Sequence, residues 1–178
     1  MDTYKINIAG VDRDLVKYPV NDKLDIAAFV LFGDVEVTEK AAEKLLEICP
    51  EHDVVVSAEA KGIPLCYEMA RQGCREYVIA RKSIKVYMRN CVGVNVKSIT
   101  TANEQKLYLG DTDVEFLKGK RVLIVDDVIS TGESLAALEA LMNEIDANVV
   151  GKACVLAEGD AKNRKDIIFL QELPLFEK

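Results

Sequence analysis

One stretch, two-thirds of the way along the chain, places the strongest constraint on the fold: RVLIVDDVISTGES at residues 121–134. An apolar run ends in two adjacent aspartates, Asp126 and Asp127, and a short loop of small hydroxyl and glycine residues follows before an amphipathic segment begins. This order of strand, acid pair, loop and helix is typical of open α/β sheets, which build their sites at the carboxyl ends of parallel strands.

Apolar runs and helical patterns alternate through much of the rest of the chain. Residues 53–58, 76–80 and 149–156 are short and rich in β-branched residues, so they predict buried strands. Apolar spacing predicts helices at 63–72, with Pro64 near the start and Gly73 past the end, and at 133–146. The alternation predicts one α/β domain with a doubly wound, mainly parallel sheet.

The first 50 residues follow a different pattern. Residues 4–20 alternate apolar and polar around a turn, which predicts a β-hairpin. Phe29, Val30, Leu31 and Phe32 are either a buried strand or an apolar wall. Thr38 is a candidate N-cap for a helix that runs to about Cys49.

Residues 81–119 break the alternation, because they are long, basic at the start and without helical periodicity. A compact domain rarely tolerates such a stretch unless it is a lid or a binding loop. Within it, 92–96 and 107–109 are candidates for a small ribbon.

Composition narrows the classes of function. The net charge of −7 argues against nucleic-acid binding as the main activity, because that needs a basic face. No apolar run approaches the roughly 20 residues of a membrane span, and the N-terminus has no signal core, so we expect a cytoplasmic protein. The five cysteines form no C-x-x-C pair, and a single histidine leaves little material for a His-dependent centre.

The acid pair and its loop have a specific chemical capacity. Carboxylates only accept hydrogen bonds, which suits the vicinal hydroxyls of a sugar. Small residues at a helix N-terminus offer backbone N–H groups to a phosphate. Two alternatives stand beside this interpretation: the aspartates cap the helix and the loop is a plain turn, or VLIVDD opens a response-regulator receiver, where the pair would lie near the start of the domain.

VLIVDDVISTGES resembles the phosphoribosyl-pyrophosphate (PRPP) motif of type I phosphoribosyltransferases. VVVSAEAKGIPLCYEMA and YVIARKSIK resemble the purine branch of that family, and the tail ACVLAEGDAKNRK…LQELPLF resembles adenine phosphoribosyltransferases. EAKGIP and LYL also resemble archaeal hypoxanthine phosphoribosyltransferases. The first 50 residues match least.

The resemblance implies roles for four groups of residues. Asp126 and Asp127 would hold the ribose hydroxyls and act in catalysis. The 5′-phosphate loop would comprise Ser130, Thr131, Gly132, Glu133 and Ser134. The pyrophosphate loop, which often has a strained or cis peptide in this family, would comprise Ala60, Lys61 and Gly62. Arg81, Lys82 and Lys85 would reach the pyrophosphate of PRPP, although such a charge run alone is usually a solvated loop.

The remaining implied features concern the base and the lid. Residues 82–110 would form a flexible catalytic loop. Thr101 stands near the position of the family's proton-transferring glutamate, and Glu104, which is displaced from it, is the candidate for that role. Residues 1–35 and 157–178 would form a hood over the base, which Phe29 and Glu158 would contact.

The resemblance also implies substrates, a cofactor and an assembly. Mg²⁺ would be held mainly through PRPP, with no direct protein ligand assigned. The acceptor would be a purine, with adenine favoured and hypoxanthine, guanine or xanthine as alternatives. We expect a homodimer that binds neither nucleic acid nor membrane. A non-catalytic regulator that senses PRPP or a purine is the rival from another class.

Overall fold

A computed structural model describes residues 2–97 and 104–178. The strands are β1 Thr3–Ile8, β2 Val11–Asn21, β3 Leu24–Ala27, β4 Val54–Ala58, β5 Tyr77–Ala80, β6 Val92–Lys97, β7 Glu104–Leu109, β8 Arg121–Ile129, β9 Asn148–Glu158, β10 Ile168–Leu173 and β11 Leu175–Glu177. The helices are α1 Val35–Ile48, α2 Ile63–Gln72, α3 Asp111–Leu117, α4 Glu133–Glu144 and a 3-10 helix, Gly159–Asn163.

A five-stranded parallel sheet, in the order β10-β9-β8-β4-β5, forms the centre of the fold. β8 lies in the middle, where Val122 pairs with Val54 on one side and with Val149 on the other. Its apolar residues are buried because helices or strands cover both faces of the sheet. The predicted α/β fold with a mainly parallel sheet is confirmed.

Each face of the central sheet has its own apolar core. Residues of α1 and α2 pack with the hood strands on one face, and residues of α4 pack with the β6–β7 ribbon on the other. The predicted helices 63–72 and 133–146 are confirmed, although α4 ends at Glu144.

The N-cap of α1 lies earlier in the chain than the predicted Thr38. Asp34 is the N-cap, and its Oδ1 accepts a hydrogen bond from the Val37 backbone N–H at 3.2 Å. Thr38 is buried in the first turn, where its Oγ1 donates to the Asp34 carbonyl oxygen at 2.7 Å. The helix begins early because Arg13 clamps the Asp34 carboxylate at 2.8 Å, a contact between residues 21 positions apart.

A second, antiparallel sheet in the order β1-β2-β3-β11 forms the hood. The predicted hairpin is confirmed as β1 and β2. The segment 168–173, which the sequence analysis assigned to the hood, instead lies in the central sheet as β10, parallel to β9. Only the short β11 returns to the hood, where it pairs with β3. Residues 29–32 form no strand.

The predicted ribbon is confirmed as the antiparallel pair β6–β7, which packs on α4. The helix α3 was not predicted, because it has seven residues and only Leu117 is buried, too few for a periodic pattern. Thr101 lies outside the described residues. In the part of the chain that is described, no helix has the length and apolar character needed to cross a membrane.

The packing of α4 against the sheet gives a testable stability effect. Leu138 is fully buried on the inner face of α4, so Leu138→Ala should lower the free energy of unfolding by about 2–5 kcal/mol through lost burial and a residual cavity. Chemical denaturation measures the change. The control is Ile48→Ala, whose side chain is 53% exposed at the end of α1 and should change stability by only about 0.5 kcal/mol.

Candidate active site

The acid pair lies near the carboxyl end of the central strand. β8 continues past the two aspartates that end its apolar run, because it remains paired with β9 as far as Ile129. Asp127 is only 2% exposed, and its backbone N–H donates to Asp126 Oδ1 at 2.9 Å. Two carboxylates therefore lie side by side at the edge of the apolar core.

The electrostatics of this pair follow from its burial. Desolvation, and secondly the neighbouring charge of Asp127, raise the pKa of Asp126 to about 7. The ammonium of Lys61 opposes this shift only weakly. Asp126 is therefore poised between its protonated and ionised forms near neutral pH.

The loop after β8 surrounds a cavity together with Asp126. Gly132 adopts the left-handed region, with φ of +81°, and α4 begins at the next residue. The cavity has a volume of about 120 Å³ and is lined by Asp126, Val128, Ile129, Ser130, Thr131, Gly132, Glu133, Ser134 and Leu135. The structure thus brings together Asp126 and all five predicted residues of the phosphate loop.

A second loop, between β4 and α2, reaches the same acid pair. Lys61 Nζ lies 3.4 Å from Asp127 Oδ2. A Cβ atom on Gly62 would lie 2.3 Å from Ser57 Oγ and 2.9 Å from Asp126 Oδ1, so only glycine allows the backbone this close. The peptide between Glu59 and Ala60 is cis, in the loop for which the resemblance implied an unusual peptide.

Two buried oxygens at this junction lack hydrogen-bond partners. They are Ser57 Oγ and Asp127 Oδ2, neither of which has a hydrogen-bond partner within the described ranges, although the Lys61 ammonium lies 3.4 Å from Asp127 Oδ2. Buried polar groups are normally satisfied, and exceptions are common where a ligand binds. The orphaned atoms lie where the two loops meet the acid pair.

The basic segment after β5 is tied to the second loop by Glu59, a residue that the sequence analysis did not single out. Arg81 Nη2 lies 3.1 Å from Glu59 Oε1, and the Lys82 backbone N–H donates to Glu59 Oε2 at 2.9 Å. The Lys82 N–H, and secondly Arg81, keep the pKa of Glu59 below its usual value. Lys85 Nζ donates to Ser83 Oγ at 2.6 Å. Only the position of Glu59, one residue after β4, hinted at this role.

Three predicted residues are not among those that line the cavity with Asp126. Phe29 is 6% exposed and packs in the core that includes the hood strands, and its contact with a base stays a prediction. Glu104 lies on the ribbon, where it accepts a hydrogen bond from Asn95 Nδ2 at 3.1 Å and lies 3.4 Å from Lys106 Nζ. Glu158 ends β9 at the junction with the hood, since a Cβ on the next residue, Gly159, would lie 2.9 Å from Leu175.

The site combines a carboxylate pair, a hydroxyl-rich loop at a helix start and a basic loop that contains Gly62. These groups are suited to a phosphorylated sugar. The chain belongs to the phosphoribosyl transferase family: the family model described as phosphoribosyl transferase domain matches residues 34–174. The prediction of a type I phosphoribosyltransferase, and of an enzyme, is confirmed.

Relatives of known kind span most of the chain. A hypoxanthine/guanine phosphoribosyltransferase of Methanococcus voltae is 31% identical over 147 residues, which are 83% of this chain and 72% of that protein. The purine biosynthesis transcriptional repressor PurR of Bacillus subtilis is 31% identical over 132 residues, which are 72% of this chain and 46% of the repressor. The crystal structure of adenine phosphoribosyltransferase from Thermoanaerobacter pseudethanolicus shares the fold, with a TM-score of 0.73 and 18% identity over 89% of this chain and 95% of that one.

The raised pKa of Asp126 predicts how pH changes stability. The folded state binds a proton at this carboxyl more tightly than the unfolded chain, so this group contributes a loss of stability as pH rises from about 4 to about 7. Relative to Asp126→Asn, the wild type should lose unfolding free energy over that range with a slope of at most about 1.4 kcal/mol per pH unit. Denaturation at a series of pH values measures the difference.

The control is Glu144→Gln, which changes an exposed carboxylate at the end of α4 that is hydrated in both states. Its stability curve should stay parallel to that of the wild type. If the curves for the wild type and Asp126→Asn are also parallel from pH 4 to 7, burial does not perturb this carboxyl.

Proposed function

We propose that the chain transfers the 5-phosphoribosyl group of PRPP to a purine base, giving a nucleoside monophosphate and pyrophosphate. The observation that carries the proposal is the single cavity lined by Asp126 and the whole loop from Ser130 to Ser134. Its dimensions suit one phosphate, and the loop that contains Lys61 adjoins the same acid pair.

Each part of PRPP has a group of residues whose charge and hydrogen-bonding capacity suit it. The ribose hydroxyls donate to Asp126 and Asp127, and the 5′-phosphate accepts from the loop at the start of α4, where the helix dipole adds to the attraction. The pyrophosphate meets the cations of Lys61 and Arg81, which in the described structure are held by Asp127 and Glu59. Binding of the pyrophosphate would draw Lys61 away from Asp127 and free that carboxylate for the ribose.

The reaction requires little covalent chemistry from the protein. A ring nitrogen of the base forms a bond to the anomeric carbon, the bond from that carbon to the pyrophosphate oxygen breaks with its electron pair, and the base gives up the proton on its nitrogen. Positioning of the reactants and stabilisation of the charge that develops in the transition state account for the rate, as in other reactions of phosphorylated substrates. Glu104 stays a prediction for the proton acceptor, since it lies at the start of β7, next to the undescribed segment.

Magnesium fits this site in a particular way. Carboxylate oxygens are ligands that Mg²⁺ accepts, and Asp127 Oδ2 is a buried oxygen without a hydrogen-bond partner in the described structure. No group of three or more His, Cys, Asp or Glu side chains that could hold an ion occurs within residues 2–97 and 104–178. We therefore assign Mg²⁺ chiefly to the oxygens of PRPP, with Asp126 and Asp127 nearby, where it would neutralise pyrophosphate charge.

The choice of base rests on two different resemblances. A relative that is 31% identical over 83% of this chain is a hypoxanthine/guanine enzyme, which supports a 6-oxopurine as the acceptor. The tail of the sequence resembles adenine phosphoribosyltransferases, which supports adenine as the second candidate. A few hydrogen bonds to the 6-position of the ring separate these bases.

The proposal predicts pyrophosphate release in the presence of Mg²⁺, PRPP and a purine. Each of hypoxanthine, guanine, xanthine and adenine is tested separately, and a 6-oxopurine should give the highest kcat/KM. Release with adenine alone would assign the chain to the second candidate. Binding of PRPP without turnover of any base would instead support the regulator, for which the similarity to PurR is the specific observation.

The control for this assay is the double variant Asp126→Asn, Asp127→Asn. It keeps the size of both side chains but removes the charges that accept the ribose hydroxyls, so affinity for PRPP should fall by at least about tenfold. Circular dichroism checks that the variant is folded. Unchanged affinity for PRPP would show that the acid pair does not hold the ribose.

We also propose a homodimer, formed through an apolar groove between α1 and α2. Phe32, Val35 and Tyr67 are exposed along this groove, and the Tyr67 ring contacts Tyr77 edge to face at 5.9 Å. Contiguous exposed apolar surface often marks a protein interface, and a second copy offers the same groove in a two-fold dimer.

Tyr67→Asp should convert the dimer to a monomer, because it places a charge in the apolar groove. Sedimentation velocity measures the mass. The matched control is Tyr18→Asp, since Tyr18 is 52% exposed on a hood strand whereas Tyr67 is 51% exposed. A wild-type monomer, or a Tyr67→Asp dimer, would contradict the proposed interface.

The expected location is the cytoplasm. Support comes from the cysteines, all five of which are unpaired, as is usual in a reducing compartment.

A further inference from the structure

Arg164, which follows the 3-10 helix, packs against the loop predicted to hold the 5′-phosphate. A Cβ atom on Gly132 would lie 2.5 Å from Arg164 Nη1 and 3.8 Å from Cζ. Glycine at position 132 therefore serves two purposes, because it adopts a positive φ and leaves room for the guanidinium. The loop and the arginine are 32 residues apart in the sequence, so this contact is tertiary.

Asp166 fixes the orientation of the Arg164 guanidinium. Arg164 Nε and Nη2 donate to the two oxygens of Asp166 at 2.9 Å and 2.7 Å, which is a bidentate pair. The remaining nitrogen, Nη1, is the one that lies against Gly132, and no acceptor for it is found within the described residues. The side chain is 31% exposed, so a ligand in solution can reach it.

A chain of ion pairs connects this arginine to the helix that follows the loop. Lys152 donates to Asp166 Oδ2 at 2.7 Å and to Glu139 Oε1 of α4 at 2.7 Å. Desolvation lowers the pKa of Lys152, but its hydrogen bonds to Asp166 and Glu139 outweigh that effect and the net shift is upward. Asp166 is correspondingly held ionised, with its pKa lowered by Arg164 and Lys152.

The phosphate loop needs such a cation from outside. Its residues, Ser130 to Ser134, contain no Lys or Arg, and they include one acid, Glu133. The donors that the loop itself offers to a phosphate dianion are N–H and hydroxyl groups. A guanidinium whose Nη1 lies against the loop supplies a positive charge there and can donate a charge-assisted hydrogen bond to the phosphate.

We propose that Arg164 is a phosphate-binding residue of this enzyme, whose free Nη1 serves the 5′-phosphate of the phosphoribosyl substrate from outside the loop. Asp166 and Lys152 are positioning residues, because they act only by holding the guanidinium. The inference rests on the proposed function, since it assigns the 5′-phosphate to this loop. It separates the two anionic ends of PRPP: Arg164 serves the 5′-phosphate, and Lys61 and Arg81 serve the pyrophosphate.

The test measures three ligands separately by isothermal titration calorimetry with the full chain and Mg²⁺: PRPP, ribose 5-phosphate and inorganic pyrophosphate. In Arg164→Gln, the Kd for ribose 5-phosphate should rise by at least about tenfold. The Kd for pyrophosphate should stay within about twofold of the wild-type value. Arg164→Lys keeps the charge without the fork and should recover part of the lost affinity.

The matched control is Arg121→Gln. Arg121 also forms a bidentate pair with an aspartate, Asp53, but it lies at the opposite end of β8. This variant should bind both ribose 5-phosphate and pyrophosphate as the wild type does. Asp166→Asn leaves the charge of Arg164 in place, so it should reduce the affinity for ribose 5-phosphate less than Arg164→Gln does.

Steady-state kinetics supply an independent readout. If the phosphate contact is equally strong in the ground state and the transition state, its loss raises KM for PRPP and leaves kcat unchanged.

If Arg164→Gln reduces the affinities for ribose 5-phosphate and pyrophosphate equally, the residue is only structural and the inference is overturned. Unchanged affinity for both ligands also overturns it. Failure of the wild type to bind PRPP at all would instead overturn the proposed function. Should Arg164→Gln not fold, Arg164→Lys and Asp166→Asn carry the same comparison.

Discussion

Two carboxylates set side by side at the end of the central strand are the feature on which the rest of this site depends. Burying a charge costs several kcal/mol unless partners compensate for it, and Asp127 is almost fully buried. The chain meets part of this cost by raising the pKa of Asp126 to about 7, so that the two charges need not coexist. Lys61, at 3.4 Å, compensates Asp127 from the facing loop.

The loop that contains Lys61 and Gly62 also lies close to the acid pair. Gly62 has no side chain, so its backbone lies against both Ser57 and Asp126. A larger residue would push the lysine loop away from the acid pair and remove the charge that faces Asp127. A fold optimised for stability alone would satisfy these oxygens internally, whereas this one leaves Ser57 Oγ and Asp127 Oδ2 without hydrogen bonds.

The sequence was most predictive where a pattern is local. Alternation and β-branched runs predicted β4, β5, β8 and β9 of the central sheet. The segment 121–134 predicted a strand, a loop and a helix, which the structure places in that order. The errors lie where tertiary contacts decide. Asp34 rather than Thr38 caps α1 because Arg13 reaches it from the hood, and β10 joins the central sheet because its partner is β9. The sequence offers no periodicity for either contact.

The candidate site divides in the same way. Asp126 and the loop after it are contiguous, so a short motif could identify them, and the structure gathers them around one cavity. Phe29 is buried in a core, and the sequence could not reveal this, because an apolar residue gives the same signal whether it faces a ligand or a core. Glu59 was missed because an isolated acid in a sequence does not indicate a phosphate site. Its importance comes from its ion pair with Arg81, in which Arg81 Nη2 lies 3.1 Å from Glu59 Oε1.

Pairing of cations with carboxylates also reconciles an acidic protein with an anionic substrate. The net charge of −7 describes the field far from the surface, where salt screens it within about 10 Å, and says little about the potential inside a cavity. Near the site, Arg81 is oriented by Glu59 and Arg164 by Asp166. Each acid weakens the long-range attraction of its arginine but fixes the direction of the remaining N–H donors. Such a site gives up electrostatic steering of the substrate in exchange for donors that are already positioned when the phosphate arrives, so less side-chain entropy is lost on binding.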